Sequence, residues 1–336
     1  MYPNAIVYSE HPMSTSPQSA MPRYPLAQHL TQHSSLIYGC MGLGGGWNTN
    51  SISAGDIKQT EAIIECCLDE GIRIFDHADI YTYGKAEIAF GQVLQQSPNL
   101  REQVSIQSKC GIRFEDVHGV KRYDFSPQWI THSVEEILQR LHIEQLDVLL
   151  LHRPDPLMQL EEVAQTLIAL HRAGKIAHIG VSNMHAAQLA FLQSALPFPI
   201  IANQIELSLA KPGFINASIE PTHHYDGMAE YAQQQNIQIQ AWGALAQGQF
   251  TKEMNNDVSM NVQHTTNMII QLAQQYDVSR EAIVLAFLTR HPVSIQPIIG
   301  TTNLARIKAC AQVNRCELSA VDWYGLLEST RGNEVP

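Results

Sequence analysis

The chain has 336 residues, of which 45% are hydrophobic, and a formal net charge of −11. That length allows one large domain or two small ones with a substantial core. A negative balance with no compensating Lys/Arg cluster argues against nucleic acid as a partner, yet leaves room for an anionic cofactor held by one arginine and helix N-termini.

Cysteines stand at 40, 66, 67, 110, 310 and 316 without a CxxC pair, so neither a disulfide framework nor a zinc site is indicated. Reduced thiols in a cytoplasmic protein are the expectation. No apolar run reaches the roughly eighteen residues of a membrane span. Residues 1–34 mix Pro, Ser, Gln and His with scattered apolar residues and lack the core of a signal peptide. They read as a tail or surface cover, with His11, His29 and His33 solvated.

From Ser35 the pattern becomes regular. Leu36-Ile37-Tyr38 is a short strand entering a glycine-rich loop, Gly39 to Trp47. The loop does not carry a dinucleotide fingerprint: after Gly42-x-Gly44 the sixth position is Trp47, and no helix follows at once. Glycine there still lets backbone approach a ligand closely. Asp56 is read as the cap of a helix through Leu68, closed by Gly71. Strand 72–76 and helix 85–95 follow. Strand 104–109 leads into a long loop, 110–126, whose polar and aromatic tip (Glu115, Asp116, His118, Lys121, Arg122, Tyr123) suits a lid or substrate wall. Pro127 starts a helix with Ile130, Val134, Ile137, Leu138 and Leu141 at helical spacing.

Strand 146–151 is a continuous apolar run, as expected where both faces are covered. Helix 159–173, strand 176–181, helix 185–194 and strand 200–204 come next. Loop 206–224, helix 225–235 and strand 237–242 follow, then loop 243–262 and two helices, 264–276 and 279–290. Strand 295–299, helix 303–312 and an amphipathic helix 319–330 complete the chain. Eight strands alternating with helices specify a parallel sheet with right-handed crossovers, and eight such units close into a (β/α)8 barrel, here a single domain over 35–336.

Chemistry gathers at the carboxyl ends of three successive strands. Strand 72–76 ends in Asp76, with Tyr81 five residues on; the next two end in Lys109 and His152. A free phenol, with a pKa near 10, is a poor acid at neutral pH, and an adjacent ammonium lowers that value. Asp76 can keep the ammonium charged, and His152 can orient a substrate oxygen. This is a kit for protonating a carbonyl oxygen while hydride reaches its carbon, and it calls for no metal ligands.

Phe75-Asp76-x-Ala78-x-x-Tyr81, Lys109 and Leu151-His152 resemble the catalytic tetrad of the aldo-keto reductases, a (β/α)8 family using NADPH. The resemblance spans about residues 35 to 315 and implies a role for each of several further segments. Gly39 and Met41 fall where the family's first loop borders the nicotinamide. Gly180-Val181-Ser182-Asn183 is similar to the segment holding the carboxamide through Ser182 and Asn183, with Gln204 completing that set. Trp242 stands where an aromatic stacks on the nicotinamide, and Gly243, Leu245, Gln247 and Gly248 follow in the segment along the pyrophosphate. Gly300, Thr301, Thr302 and Arg306 resemble the grip on the adenosine 2′-phosphate. Trp47 and Tyr83 are the expected substrate walls, with the loops 110–126, 206–224 and 243–262.

This chain departs from the family pattern at several positions. His77 replaces the commonest Thr and is read as a neighbour shaping the pocket. Gly300 stands where many members have Lys, and Ala309 and Cys310 where Glu and Asn often meet the adenine. Tyr83 rivals Tyr81 as proton donor, but Tyr-x-x-Gly-Lys-Ala-Glu favours Tyr81. The implied activity is NADPH-dependent reduction of a small-molecule aldehyde or ketone. A cofactor-binding regulatory subunit with little turnover is the alternative. A metal hydrolase using His77, Asp79 and His152, or a Schiff-base lyase using Lys109, forms the third class.

Overall fold

The computed structural model describes residues 24–117, 119–219, 224–253 and 258–336. His11, His118 and the loop pieces 220–223 and 254–257 therefore lie outside the described residues, as does most of the segment 1–34. Eight parallel strands close a barrel: β1 (Ile37–Gly39), β2 (Ile74–Asp76), β3 (Ser105–Cys110), β4 (Leu146–Leu151), β5 (Ile176–Ser182), β6 (Ile200–Glu206), β7 (Gln238–Trp242) and β8 (Gln296–Ile299). Each pairs with its neighbours in chain order, and β1 completes the ring against β8 through Ile37↔Ile298 and Tyr38↔Ile299.

Side chains alternate along a strand, so each strand serves two cores. Outward-facing Phe75, Ile106, Leu149, Ile179 and Ile239 pack under the helices in one continuous apolar shell. Inward-facing Ile37, Ile74, Val148, Leu150, Ile201 and Ile298 form a second cluster, together with Leu26 and Leu30. Those two leucines belong to the segment before the barrel. Tyr24 and the 3-10 turn Pro25–Gln28 run beneath the strands, and Leu26, fully buried, plugs the amino-terminal mouth. His29 is held there too, since His178 Nε2 lies 3.0 Å from its carbonyl oxygen.

Around the barrel run α1 (Ala54–Asp69), α2 (Lys85–Gln96), α3 (Pro127–Leu141), α4 (Leu160–Arg172), α5 (Ala186–Gln193), a short α6 (Gly213–Asn216), α7 (Met228–Gln234), α8 (Met260–Gln275), α9 (Arg280–Thr289), α10 (Leu304–Ala311) and α11 (Ala320–Arg331). The expected cap of α1 needs correction. Ser53 is the N-cap, and Asp56 sits in the first turn, its carboxylate taking the Ser53 N–H at 2.8 Å in a reciprocal capping box. Loop 110–126 is not wholly irregular: Ile112–Arg113 and Arg122–Tyr123 pair as a small antiparallel hairpin beside the barrel mouth. Among the described residues, no helix is long and apolar enough to cross a membrane.

Candidate active site

The same alternation that builds the inner core delivers the polar groups. Ile74 and Asp76 share the inward face of β2, Gln107 and Lys109 that of β3, and Val148, Leu150 and His152 that of β4. Below these groups β2 and β4 carry apolar residues and β3 carries Gln107, and each strand's last inward residue emerges at the carboxyl end, where barrel enzymes place their chemistry. The structure brings three of the four expected groups into one hydrogen-bonded cluster. Lys109 Nζ lies 2.7 Å from Asp76 Oδ2 and donates to the Tyr81 hydroxyl at 3.0 Å and to the His77 carbonyl at 2.8 Å. His152 presents its ring edge-on to Tyr81, with centroids 6.2 Å apart.

Burial decides the protonation states. It would depress Lys109, but the Asp76 carboxylate and the Tyr81 oxygen more than offset it, so the ammonium is held above its ordinary range. Burial also raises the Tyr81 phenol above 10, with Lys109 pulling it back only in part. Residue spacing alone points to the opposite net sign, because depth of burial is not written in it. Burial, then the charges of Lys109 and Arg153, push His152 well below the usual imidazole range, leaving it neutral.

Tyr81 is aimed by an unusual turn. Thr82 (φ 47°), Tyr83 (φ 60°) and Gly84 (φ 84°) are all left-handed in succession. For Thr and Tyr that conformation costs roughly 1–2 kcal/mol each. The Thr82 hydroxyl holds the turn by donating to the Leu43 carbonyl at 3.0 Å. Lys85 anchors the glycine-rich loop, its Nζ meeting Gly46 O at 2.8 Å and Asn48 Oδ1 at 3.0 Å. That loop carries Trp47, which meets Tyr83 edge-on at 5.7 Å; Tyr83 in turn meets Phe114 at 5.4 Å. The two expected substrate walls thus form one half-exposed aromatic rim continuing into the hairpin loop. A cavity of about 340 Å³ opens along Tyr83, Phe114 and Trp129, but none of Asp76, Tyr81, Lys109 and His152 lines it.

His77 is not a pocket residue. It follows inward-facing Asp76, so it points outward, is fully buried and packs edge-on against Phe90 of α2 at 4.8 Å. Burial, reinforced by Lys109, pushes its pKa down to about 3. It therefore does not share a site with His152, as the metal-hydrolase reading required.

The positions expected to hold a cofactor line the same mouth. Ser182 and Asn183 end β5: Ser182 Oγ donates to Gln204 O at 2.9 Å, and Asn183 Nδ2 to Ser182 Oγ at 2.7 Å. The Trp242 indole N–H donates to Asn183 Oδ1 at 3.1 Å, and the Arg153 guanidinium sits over its ring at 5.5 Å. Gln204 spends its Nε2 on Asp76 Oδ1 at 2.9 Å, and its Oε1 takes no hydrogen bond among the described residues. That free acceptor suits a carboxamide N–H. Beyond β7, Gly243, Ala246, Gln247 and Gly248 all take positive φ, and Gly248 lies against Lys252 and Arg306. Leu245 is half-buried within that loop. Gly39 and Met41 border β1, Gly39 close to Ile298 and Met41 half-exposed. Gly300, Thr301 and Thr302 form the loop after β8, where the Thr301 carbonyl takes the Tyr38 hydroxyl at 3.2 Å.

Arg306 lies in the first turn of α10, whose cap is Asn303. Its Nη2 donates to Thr251 Oγ1 at 2.9 Å, and its Nε faces Glu281 Oε1 at 3.4 Å. The guanidinium is thereby fixed with N–H groups to spare. Lys252 beside it is missing from the sequence-based set; its place four residues after Gly248 is the one local hint of it. Cys310 is fully buried and cannot reach an adenine.

The family profile described as "Aldo/keto reductase family" matches residues 35–328. An uncharacterized oxidoreductase, YcsN of Bacillus subtilis, is 34% identical over 94% of this chain and 100% of its own length. The 6-dehydroglucose reductase of Agrobacterium fabrum is 33% identical over 94% and 100%. Among solved structures, the glycerol dehydrogenase of Gluconobacter oxydans superposes with a TM-score of 0.73 at 23% identity, covering 90% of this chain and 94% of that one. An aldo-keto reductase of Klebsiella pneumoniae in complex with NADPH gives 0.67 at 22%, covering 90% and 92%. A closed parallel barrel, a lysine bridging Asp76 and Tyr81 at its mouth, and a profile match over nearly the whole barrel agree: this chain belongs to the aldo/keto reductase family.

Proposed function

We propose that the protein reduces an aldehyde or ketone to the alcohol with NADPH, Tyr81 giving the proton to the carbonyl oxygen. The observation that carries this is the Lys109 bridge, 2.7 Å to Asp76 and 3.0 Å to the Tyr81 oxygen. A phenol with an ammonium on its oxygen can give up a proton, because the phenolate left behind is stabilised where it forms. Neutral His152 offers a hydrogen bond that orients the carbonyl. NADP(H) is the cofactor, and when bound it supplies the hydride. This chain would hold it through Ser182, Asn183 and the free Gln204 Oε1 at the carboxamide, and through the Trp242 face at the ring. The wound loop 243–248 would follow the pyrophosphate, with Arg306 and Thr301 at the 2′-phosphate.

The test is a panel of small aldehydes and ketones with NADPH oxidation followed by absorbance. The panel includes 6-dehydroglucose, the substrate named for the relative from Agrobacterium fabrum. Turnover of at least one carbonyl, lost in Tyr81→Phe, is the expected result. Tight NADPH binding with no turnover across the panel would identify a cofactor-binding regulatory protein instead.

A further inference from the structure

Directly beneath the tetrad the barrel interior is polar, where a packed barrel ordinarily carries branched apolar residues. Gln107 of β3, Gln204 of β6 and Gln240 of β7 are all buried there, 0–2% exposed. They form one connected set. Gln107 Nε2 donates to Asp76 Oδ1 at 2.6 Å and to Gln240 Oε1 at 2.8 Å. Gln240 Nε2 returns a bond to Gln107 Oε1 at 2.9 Å. Gln204 Nε2 donates to Asp76 Oδ1 at 2.9 Å and to Gln240 Oε1 at 3.1 Å.

The charge of Asp76 sets the direction of every bond in this layer. An ionised carboxylate only accepts, so Gln107 and Gln204 must both turn their NH2 groups towards it. Gln107 then offers its oxygen to Gln240, and the Gln240 oxygen faces the two amide groups. Asp76 Oδ1 is thereby fixed by two donors, and Oδ2 is left to Lys109. Rotation of the carboxylate would break bonds on both oxygens, to donors on the adjacent β3 and on β6 across the barrel. A buried amide network of this kind is costly unless its members are satisfied; here the anion takes the Gln107 and Gln204 NH2 groups, and only Gln204 Oε1 is left without a donor among the described residues.

We propose that Gln107, with Gln240 behind it, is a positioning residue for the reductase: it holds the Asp76 carboxylate so that Lys109 stays on the Tyr81 oxygen. Gln107 touches neither substrate nor cofactor and acts through Asp76. The proposal rests on the reductase reading given above.

Two substitutions test it, measured for kcat and KM against pH, for melting temperature against pH, and for NADPH affinity by Trp242 fluorescence. Gln107→Leu removes the donor and should lower kcat about ten- to a hundred-fold, the scale of a ~1 Å misplacement, with KM and NADPH affinity nearly unchanged. Gln107→Glu keeps the shape and makes the effect conditional on pH. While the introduced carboxyl group is protonated, its O–H donates to Asp76 as the amide did. Two carboxyl groups this close share one proton, and the folded-state pKa of the pair rises above the unfolded value.

Stability relative to wild type is then fully present below the unfolded carboxyl range and lost as pH rises through the raised folded value. The melting temperature of Gln107→Glu should therefore fall with rising pH against wild type, and its kcat should fall over the same interval. The proposal is overturned if the kcat profile of Gln107→Glu parallels wild type, even where its melting profile falls, because contact with Asp76 would then have no effect on the chemistry. A loss of kcat equal at every pH overturns it too. Absence of turnover in wild type sinks the reductase reading by itself. The melting profile still decides whether the introduced carboxyl couples to Asp76: a curve parallel to wild type refutes the positioning contact, and a falling one supports it.

Discussion

Arg140 on α3 and Glu87 on α2 form an ion pair, Nε to Oε2, at 2.7 Å, with the Glu87 side chain fully buried. The Ser108 hydroxyl donates to the other Glu87 oxygen at 2.6 Å, so two helices and β3 meet at one carboxylate. Gly91 permits this approach, since a Cβ there would lie 2.1 Å from the Arg140 carbonyl oxygen. Removing one partner of a buried pair strands the other's charge, at about 3–5 kcal/mol. Arg140→Ala should therefore be strongly destabilised without touching the tetrad. The pH dependence has a definite sign. Burial raises Glu87, and Arg140, with the Ser108 bond, opposes that rise. Without Arg140 the folded value climbs further above the unfolded one, so stability is retained at acid pH and lost as pH rises through the folded value. Denaturant unfolding at acid and neutral pH should show the smaller deficit at acid pH; a deficit independent of pH would refute the account.

Tyr81→Phe keeps the ring and removes the proposed proton donor. Turnover should fall by about 10²–10⁴-fold, the usual contribution of positioned acid catalysis, with NADPH affinity unchanged. Tyr83→Phe is the control, since Tyr83 is half-exposed on the aromatic rim. If Tyr83→Phe is the inactive variant, the assignment of the donor is wrong. Because Tyr81 is raised and His152 lowered, neither group changes charge near neutrality. Wild-type reduction should stay flat through neutral pH and decline only on the alkaline side, as Tyr81 loses its proton.

Lys109→Met tests whether the lysine works as a charge. It should abolish turnover, and it should also destabilise the fold by about 3–5 kcal/mol because Asp76 is left buried and uncompensated. Borohydride added to wild type with substrate should trap nothing on Lys109. Mass spectrometry revealing a covalent adduct there would move the protein to Schiff-base chemistry.

Arg306→Ala should weaken NADPH about ten- to a hundred-fold, the ~1.5–3 kcal/mol of a hydrogen bond to a charged group, and leave NADH nearly unchanged. Glu281 beside the guanidinium offsets part of its charge, which favours the lower end of that range. Titration of both cofactors by Trp242 quenching checks this, and equal losses for the two would assign Arg306 to the loop it holds through Thr251. Added salt should erode the NADPH preference, because Arg306 is only partly buried.

The eight strands are legible in the sequence because each is a short apolar or alternating segment bounded by Gly, Pro or a polar loop, and period-two alternation puts Asp76, Lys109 and His152 at their ends. What stays hidden depends on contacts across the barrel. Gln107, Gln204 and Gln240 lie far apart in sequence, and nothing local says that they converge on Asp76. His77 reads as a strand-end polar group like its neighbour, and only the alternation, followed one residue further, sends it to α2. Leu26 and Leu30 sit in a segment of tail-like composition; two leucines suffice to seal a barrel mouth, too few to make a pattern. Asp56 resembles a cap in the sequence, but the N-cap is Ser53, three residues earlier, and the reciprocal box uses both.

The ring has a consequence for synthesis. β1, near the start of the chain, gains its second neighbour only in β8, near the end. A ribosome still holding residues 296–299 displays an open sheet with β1 and β7 as bare edges, the surfaces on which other chains add strands. No rearrangement of the emerged portion can supply the missing partner. Chains arrested just before β8 should be protease-sensitive and chaperone-bound, and chains in which β8 and the helices after it have emerged should not. The stage of translation before β8 emerges is therefore the interval in which a barrel of this design is most exposed to aggregation.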